Sequence, residues 1–302
     1  MRFHLMFWLF SLTLAFNLRL GVAQEILLAV DTKQEKNYNL WLKGRDCMSV
    51  DIYQGHNASR LSIELVLICK ALRLGGLNSP ILFKPSANYT RSIVSAEKGY
   101  AALSSTSVWR DEIDTDLFYM SPPIFKPGQF VKAFFTTEEK RVGIEQDIAE
   151  ALAQGKSPLT VLSKFSILTS KKWKHDWAIA TKLGIPKNDA SESANRCKML
   201  ANERGDLYLG ELAMVGRFNL AIPCLNKVTL YPIRGVKITF DTARHFIISK
   251  KYPNAKQISE ALNKGLTLLK ASGELDRALY PFPDLKRDID DWVELNPKFV
   301  KN

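Results

Sequence analysis

Histidine and cysteine are scarce in this sequence, with four of each. His4, His56, His175 and His245 are scattered, and Cys47, Cys69, Cys197 and Cys224 form no CxxC pair of the zinc or redox type. Neither a metal nor another cofactor is expected. Lys and Arg outnumber Asp and Glu, 42 to 31, for a formal +11. The basic residues are spread out, however, and not interleaved with aromatics as a nucleic-acid groove requires, so no nucleic-acid partner is expected. The excess charge reads as solvated surface with a tilt toward anionic ligands. Past the N-terminus no apolar run approaches the roughly 20 residues that span a bilayer, and no segment is low in complexity.

The N-terminus has what the rest lacks. Arg2, the apolar run Leu5 to Phe16 and the small residues Gly21-Val22-Ala23 follow the order of a secretory leader cleaved near Ala23. The run is short for a membrane span, and Arg19 sits on its flank. No cysteine near the cleavage point offers a lipid anchor. Residues 1–23 are therefore expected to be removed and the product to be periplasmic. Loss of Arg2 and Arg19 lowers the formal charge from +11 to +9. An oxidising compartment permits disulfides, and four cysteines allow three pairings. The pairing that respects a division into two halves joins Cys47 to Cys69 and Cys197 to Cys224. A buried thiol at Cys69, within "ELVLICKAL", is the alternative. The sequons at Asn57 and Asn88 are read as incidental.

After the leader, "EILLAV" (25–30) reads as a strand and "ASRLSIELVLICKALRLGG" (58–76) as a helix, with Leu61, Leu65, Ile68 and Leu72 on one face and Gly75-Gly76 ending it. Strand "PILFKP" (80–85), helix "YTRSIVSAEKG" (89–99) and strand "YAALSS" (100–105) follow. Strands alternating with helices predict a parallel sheet faced by helices. The second half repeats the pattern: strand 165–170, helices 174–184 and 192–205, strand 206–210. Two extended stretches, "GQFVKAFFTT" (128–137) and "VKITFDTARHFIIS" (236–249), cross between the halves, and "AKQISEALNKGLTLLKASGELDRALY" (255–280) reads as two helices broken near Gly273. In the tail, Leu285, Ile289 and Trp292 are placed to dock an extra helix. The expected fold is α/β: two αβ lobes with mixed, mostly parallel sheets joined by a two-strand hinge. Lobe 1 is taken as 24–127 plus 245–302 and lobe 2 as 128–244.

Three segments carry a family likeness. "FIISKKYPNAKQISEALNKGLTLLKASGELDRAL" (246–279), "YMSPPI" (119–124) and "LANERGDLYLGE" (200–211) resemble the closing segment, the first hinge step and the second-lobe step of periplasmic solute-binding proteins of type II, the amino-acid-binding family 3. The resemblance implies a binding protein that closes over a small polar solute, amino-acid-like or carboxylated, for an ABC transporter or a membrane sensor. Its partners would be that solute and a membrane permease or sensor protein, and it is expected to act as a monomer. In such proteins an acid five places after the step's aspartate binds the ligand's ammonium group. Glu211 stands five after Asp206. Ligands sit at the carboxyl ends of parallel strands, where such an acid can form a charge-assisted hydrogen bond. The bland alternative is a surface acid in a helix's first turn.

The first lobe departs from the family pattern. Its members grip the ligand carboxylate with a threonine and, three residues on, an arginine. In "SSTSVWRDE" (104–112) Trp109 falls where the threonine would be, and Arg110 comes two places early. Either Arg110 reaches the cleft from a shifted loop, or Trp109 stacks on a flat ligand without that carboxylate. Ser104, Ser105 and Thr106 at the strand tip, Tyr38 and Trp41 after the first strand, and Ser170 ahead of a second-lobe helix complete the candidate ligand-binding set. Tyr38 and Trp41 are aromatics that more often pack than bind. A periplasmic enzyme on the same fold, dehydratase-like with Glu211 as proton-transfer group, an orphan sensory or accessory protein, and a structural envelope protein are the competing readings.

Overall fold

The computed structural model describes residues 25–55, 57–190, 193–212, 222–223, 229–280 and 287–295, with the backbone alone at 193–196 and 223. The leader, Cys224 and Leu285 lie outside the described residues. The first lobe runs β1 (Ile26–Asp31), α1 (Thr32–Leu42), α2 (Arg60–Leu74), β2 (Ile81–Ser86), α3 (Tyr89–Glu97), β3 (Leu103–Ser104), β4 (Val108–Trp109) and β5 (Phe118–Met120). The second holds β6 (Val131–Thr137), α4 (Glu138–Ala153), α5 (Leu159–Leu162), β7 (Ile167–Thr169), α6 (Lys174–Lys182), β8 (Lys187–Asp189), α7 (Ser193–Ala201), β9 (Leu207–Glu211), β10 (Ile222–Pro223), β11 (Thr229–Pro232) and β12 (Val236–Thr239). The chain returns through β13 (Arg244–His245) and β14 (Ile247–Ser249) to α8 (Ala255–Ala271) and α9 (Glu274–Leu279), and closes in β15 (Val293–Glu294).

The two sheets share one plan. In the first the order is β2-β1-β3-β14-β5, and in the second β8-β7-β9-β6-β11, with β10 beyond β11. β1 lies between β2 and β3, and β7 between β8 and β9, all parallel. An antiparallel strand, β14 in the first sheet and β6 in the second, separates β3 from β5 and β9 from β11. β1 reads as an unbroken apolar run because a central strand covered on both faces has no polar side; Leu28, Ala29 and Val30 are fully buried. The crossing stretches lie side by side: β6 pairs antiparallel with β12, Ile238 opposite Lys132, and farther along Phe125 bridges Arg244. Together they form the two-strand hinge.

Helix α2 is buried on nearly every side, with α8 against it. Their backbones touch: a Cβ built on Gly265 would lie 1.8 Å from the Ala71 carbonyl oxygen, and one on Gly75 would lie 1.9 Å from that of Ala261. This gives the glycine of "NKGL" (263–266) its physical reason, since no larger residue allows that approach. Cys47, in a 3-10 turn at Cys47–Ser49, forms a disulfide with Cys69 of α2, so Cys69 is not a free thiol.

Several elements depart from expectation. The stretch after β1 is a helix, α1, started by the Asp31 carboxylate accepting from the Lys33 and Gln34 amides. Of the two C-terminal helices α8 is long, not short, and Gly273 (φ 70°) sits between it and α9. The tail is helical at Arg287 and Asp288. Its strand β15 adds to β12, and Ile289 and Trp292 pack with Phe135 and Leu230 of the second sheet. Among the described residues no helix is long and apolar enough to cross a membrane.

Candidate functional site

β3 and β9, which hold equivalent places in the two sheets, both end in polar residues. Past β3 come Ser105, Thr106 and Ser107, all buried, and β9 ends at Glu211, a quarter of whose side chain reaches solvent. Between these tips stands Arg60, the first residue of α2, started by Ser59, whose hydroxyl accepts from the Ser62 amide. Arg60 belongs to the first lobe but reaches the second: Nε donates to Glu211 Oε2 at 2.7 Å and Nη2 to Oε1 at 2.9 Å. Its remaining nitrogen, Nη1, donates to Glu64 Oε1 at 2.7 Å and to Thr106 Oγ1 at 3.2 Å.

Burial opposes charge on Glu211, but the Arg60 guanidinium, with help from Lys132 and Arg244, outweighs it and holds the carboxyl at about 2. Burial likewise works against the Arg60 cation, and the charges of Glu211 and Glu64 overcome it, raising its pKa above the ordinary arginine value. Glu64 is fully buried because it is satisfied: its oxygens also accept from Thr106 Oγ1 (2.7 Å), the Ser107 amide (2.8 Å) and Ser107 Oγ (2.9 Å).

The junction between the lobes is aromatic. Trp109 meets Phe130 edge-on at 5.1 Å, stacks with Phe240 at 4.9 Å and lies 4.7 Å from the His175 ring. Arg60 sits 5.4 Å over the Phe130 ring. Arg244, on the hinge, lies 4.3 Å over Trp109 and donates from Nε to Ser107 Oγ at 2.9 Å and from Nη2 to the Ser107 carbonyl oxygen. Among the described residues no carboxylate accepts from it, and burial first, then the positive charge of Arg60, lowers its pKa. Lys132 of β6 is buried against Asp176 at 2.6 Å, and His175 Nε2 reaches Asp111 Oδ1 across the lobes at 3.1 Å.

Of the residues expected from sequence, Thr106, Trp109 and Glu211 come together here, and Ser104 and Ser105 brace the tip from behind. Ser104 Oγ donates to the Thr106 carbonyl at 2.9 Å, and Ser105 exchanges hydrogen bonds with the Gln34 amide of α1. Trp109 is 6% exposed and its ring is engaged by Phe240 and Arg244, so no flat face is open to a ligand. Ser170 folds the turn before α6, accepting from the Lys172 amide at 3.2 Å. Three residues do not join. Arg110 is exposed, and its side chain makes no hydrogen bond or ion pair among the described residues. Tyr38 packs edge-on against Phe83 at 5.3 Å, and Trp41 is buried near Tyr53. Arg60, Glu64, Ser107, Lys132, Asp176 and Arg244 were not read from sequence. Only the Arg60–Glu64 pair carried a local signal, its spacing of four at a helix start.

No protein-family model matches the chain, and no curated protein matches it. Among solved structures it is similar to an amino acid ABC transporter substrate-binding protein, AbpA, from Streptococcus pneumoniae bound to L-arginine, at 14% identity over 88% of this chain and 96% of that one, TM-score 0.50. It is similar also to a mutant of ArgBP from T. maritima (12%, 85% and 94%, TM-score 0.52) and to the periplasmic VFT2 domain of Bordetella pertussis BvgS (12%, 85% and 92%, TM-score 0.51). At such identities the likeness is one of fold, and the fold of this chain, two αβ lobes with the same strand order joined by a two-strand hinge, is that of the type II periplasmic binding proteins.

Proposed function

We propose that this chain is an exported, monomeric solute-binding protein that closes two αβ lobes over a small polar solute, amino-acid-like or carboxylated, and presents the closed form to a membrane permease or sensor protein. Lobe 1 is 24–127 with the return from 245 onward, lobe 2 is 128–244, and the tail strand β15 is lent to the second sheet. One observation carries the reading. The tips of two equivalent strands, β3 and β9, are brought together from opposite lobes, the carboxylate that ends one being held by a guanidinium that also bonds Thr106 beyond the other. Contacts that a solute makes with both lobes favour the form in which the lobes are closed on it. Glu211, with Thr106 beside the guanidinium, is the binding group in this reading. Among the similar folds, arginine-bound proteins of ABC transporters and a VFT domain of BvgS keep both a transport and a sensing partner in view.

The test is a melting-temperature screen of the mature protein over amino acids, dicarboxylates, polyamines and aromatic acids, with product followed in the same samples. A solute at 100 times its dissociation constant stabilises by about 2.7 kcal/mol. The expected outcome is a shift without turnover, abolished in Glu211→Gln. Turnover that Glu211→Gln abolishes makes the protein an enzyme instead, and no shift with any solute favours a structural envelope role.

A further inference from the structure

Arg60 supplies Glu211 with a cation from within the chain. It meets Glu211 with two parallel hydrogen bonds, the geometry in which a carboxylate grips a guanidinium most strongly. It also lies over the Phe130 ring, which favours a cation on its face. The partners come from opposite lobes and are 151 residues apart in sequence, so the bridge ties the lobes together with the chain's own side chain. Arg60 and Glu211 have 9% and 25% of their side chains exposed. A charge pair so shielded resists screening by salt and leaves an uncompensated buried charge if one partner is removed.

The neighbouring groups give the bridge a second state. Arg60 stays anchored to the first lobe through Glu64 and Thr106 even if Glu211 departs. Release of Glu211 would then leave two guanidinium donors facing the gap on one lobe and a carboxylate facing it on the other. A molecule carrying both a cation and a carboxylate can insert there, replacing one bridge by two and keeping the buried charge balanced. A solute carrying only a cation can match Glu211 but strands the freed prongs of Arg60.

We propose that Arg60 is a built-in occupant of the cleft, latching the empty lobes shut through Glu211, and that a solute is admitted only by exchange, its cation taking Glu211 and its carboxylate taking Arg60. The exchange rests on the solute-binding reading above; the latch does not. The experiment has two arms. In the first, the mature protein is unfolded and refolded to strip any carried solute, and small-angle scattering compares wild type, Arg60→Gln, Glu211→Gln and the double variant. Wild type is expected to scatter as the closed form. Each single variant should shift to a larger radius of gyration, and the double variant should shift no further than either. Arg60→Lys, which keeps the charge but not the fork, should fall between, and serves if Arg60→Gln does not fold. An open wild type, or shifts that add in the double variant, overturns the latch. In the second arm, calorimetry compares L-arginine with agmatine, its decarboxylated form. Arg60→Gln should weaken L-arginine about 30-fold or more, as truncating one partner of a buried charge pair does, while agmatine binds no more weakly than before. Equal weakening of both overturns the exchange. If neither probe binds any form while the scattering result holds, the exchange fails together with the amino-acid-like reading, and the latch stands.

Discussion

Glu211 ends a strand of buried and half-buried residues, and it stays ionised there because Arg60 meets both of its oxygens. The consequence for stability has a definite sign. A carboxyl depressed from 4.5 to about 2 contributes stability that is complete above 4.5 and disappears as pH falls toward 2. That interval corresponds to roughly 3 kcal/mol at most, an upper value because a quarter of the side chain still meets water. Denaturant unfolding at pH 7 and at pH 3 should therefore show Glu211→Gln far behind wild type at the higher pH and much closer to it at the lower. A gap that does not change with pH means that the carboxylate is not held by the bridge. Glu211 was singled out in the sequence through the family resemblance, by its place five residues after Asp206. Asp206 itself is structural: burial opposes its charge, but its hydrogen bonds with Ser166 and its pairing with Lys140 lower its pKa. Arg60 was not legible. A bridge spanning 151 residues leaves no mark on the local pattern, and an arginine at the start of a helix otherwise reads as surface.

Among the elements, the contact between α2 and α8 carries the sharpest sequence requirement. Gly265→Ala would gain about 1 kcal/mol of helix propensity, but its Cβ has no room beside the Ala71 carbonyl. The net expectation is a loss of about 2 kcal/mol, in the range of overpacked cores, read as a melting temperature lower by several degrees. An unchanged or higher melting temperature would mean that the two helices are not in backbone contact. The disulfide closes a loop of sequence separation 22 beside the same helix, which corresponds to about 3 kcal/mol on the chain-entropy account. Cys69→Ser should lower the denaturant midpoint accordingly. Elements were legible wherever a period was strong: α2 and α8 have apolar faces that repeat over several turns, and β1 is an unbroken apolar run. Helix α1 was not, since only Gln34, Trp41 and Leu42 of it are buried, and its one clear signal, Asp31 as cap, doubles as the end of β1. Helix α4 has only Ile144, Ile148 and Ala151 inside, and it too left little apolar periodicity to read. In the tail, Ile289 and Trp292 were legible as apolar anchors and pack in the second sheet's cluster, whereas the pairing of Val293 and Glu294 with the edge of β12 left no mark on the pattern.

For the whole molecule, the two-lobe plan was visible in the repeated strand-helix order and in the two extended crossings. How tightly the lobes are joined was not, because the side chains that join them come from distant segments. Trp109 arrives with β4, Phe130 and Phe240 with the crossings, and His175 with α6, and Trp109 and Phe240 each lie within 6.3 Å of the other three rings. The largest apolar cluster accordingly passes without a break from Leu28 and Leu103 of the first sheet, through Trp109, Phe130 and Phe240, to Ile167 and Leu209 of the second. Lobes that share a core in this way should unfold together, and calorimetry of the wild type is expected to give a single transition. Trp109→Ala removes the ring that touches both crossings and the second lobe, at about 3–5 kcal/mol for a truncation of this kind. Because that loss falls on the junction more than on either sheet, the lobes should then melt separately, giving two overlapping transitions with the Cys47–Cys69 side of the molecule the more stable. A single transition displaced as a whole would place the coupling elsewhere, in the paired strands β6 and β12, whose backbone hydrogen bonds the substitution leaves in place.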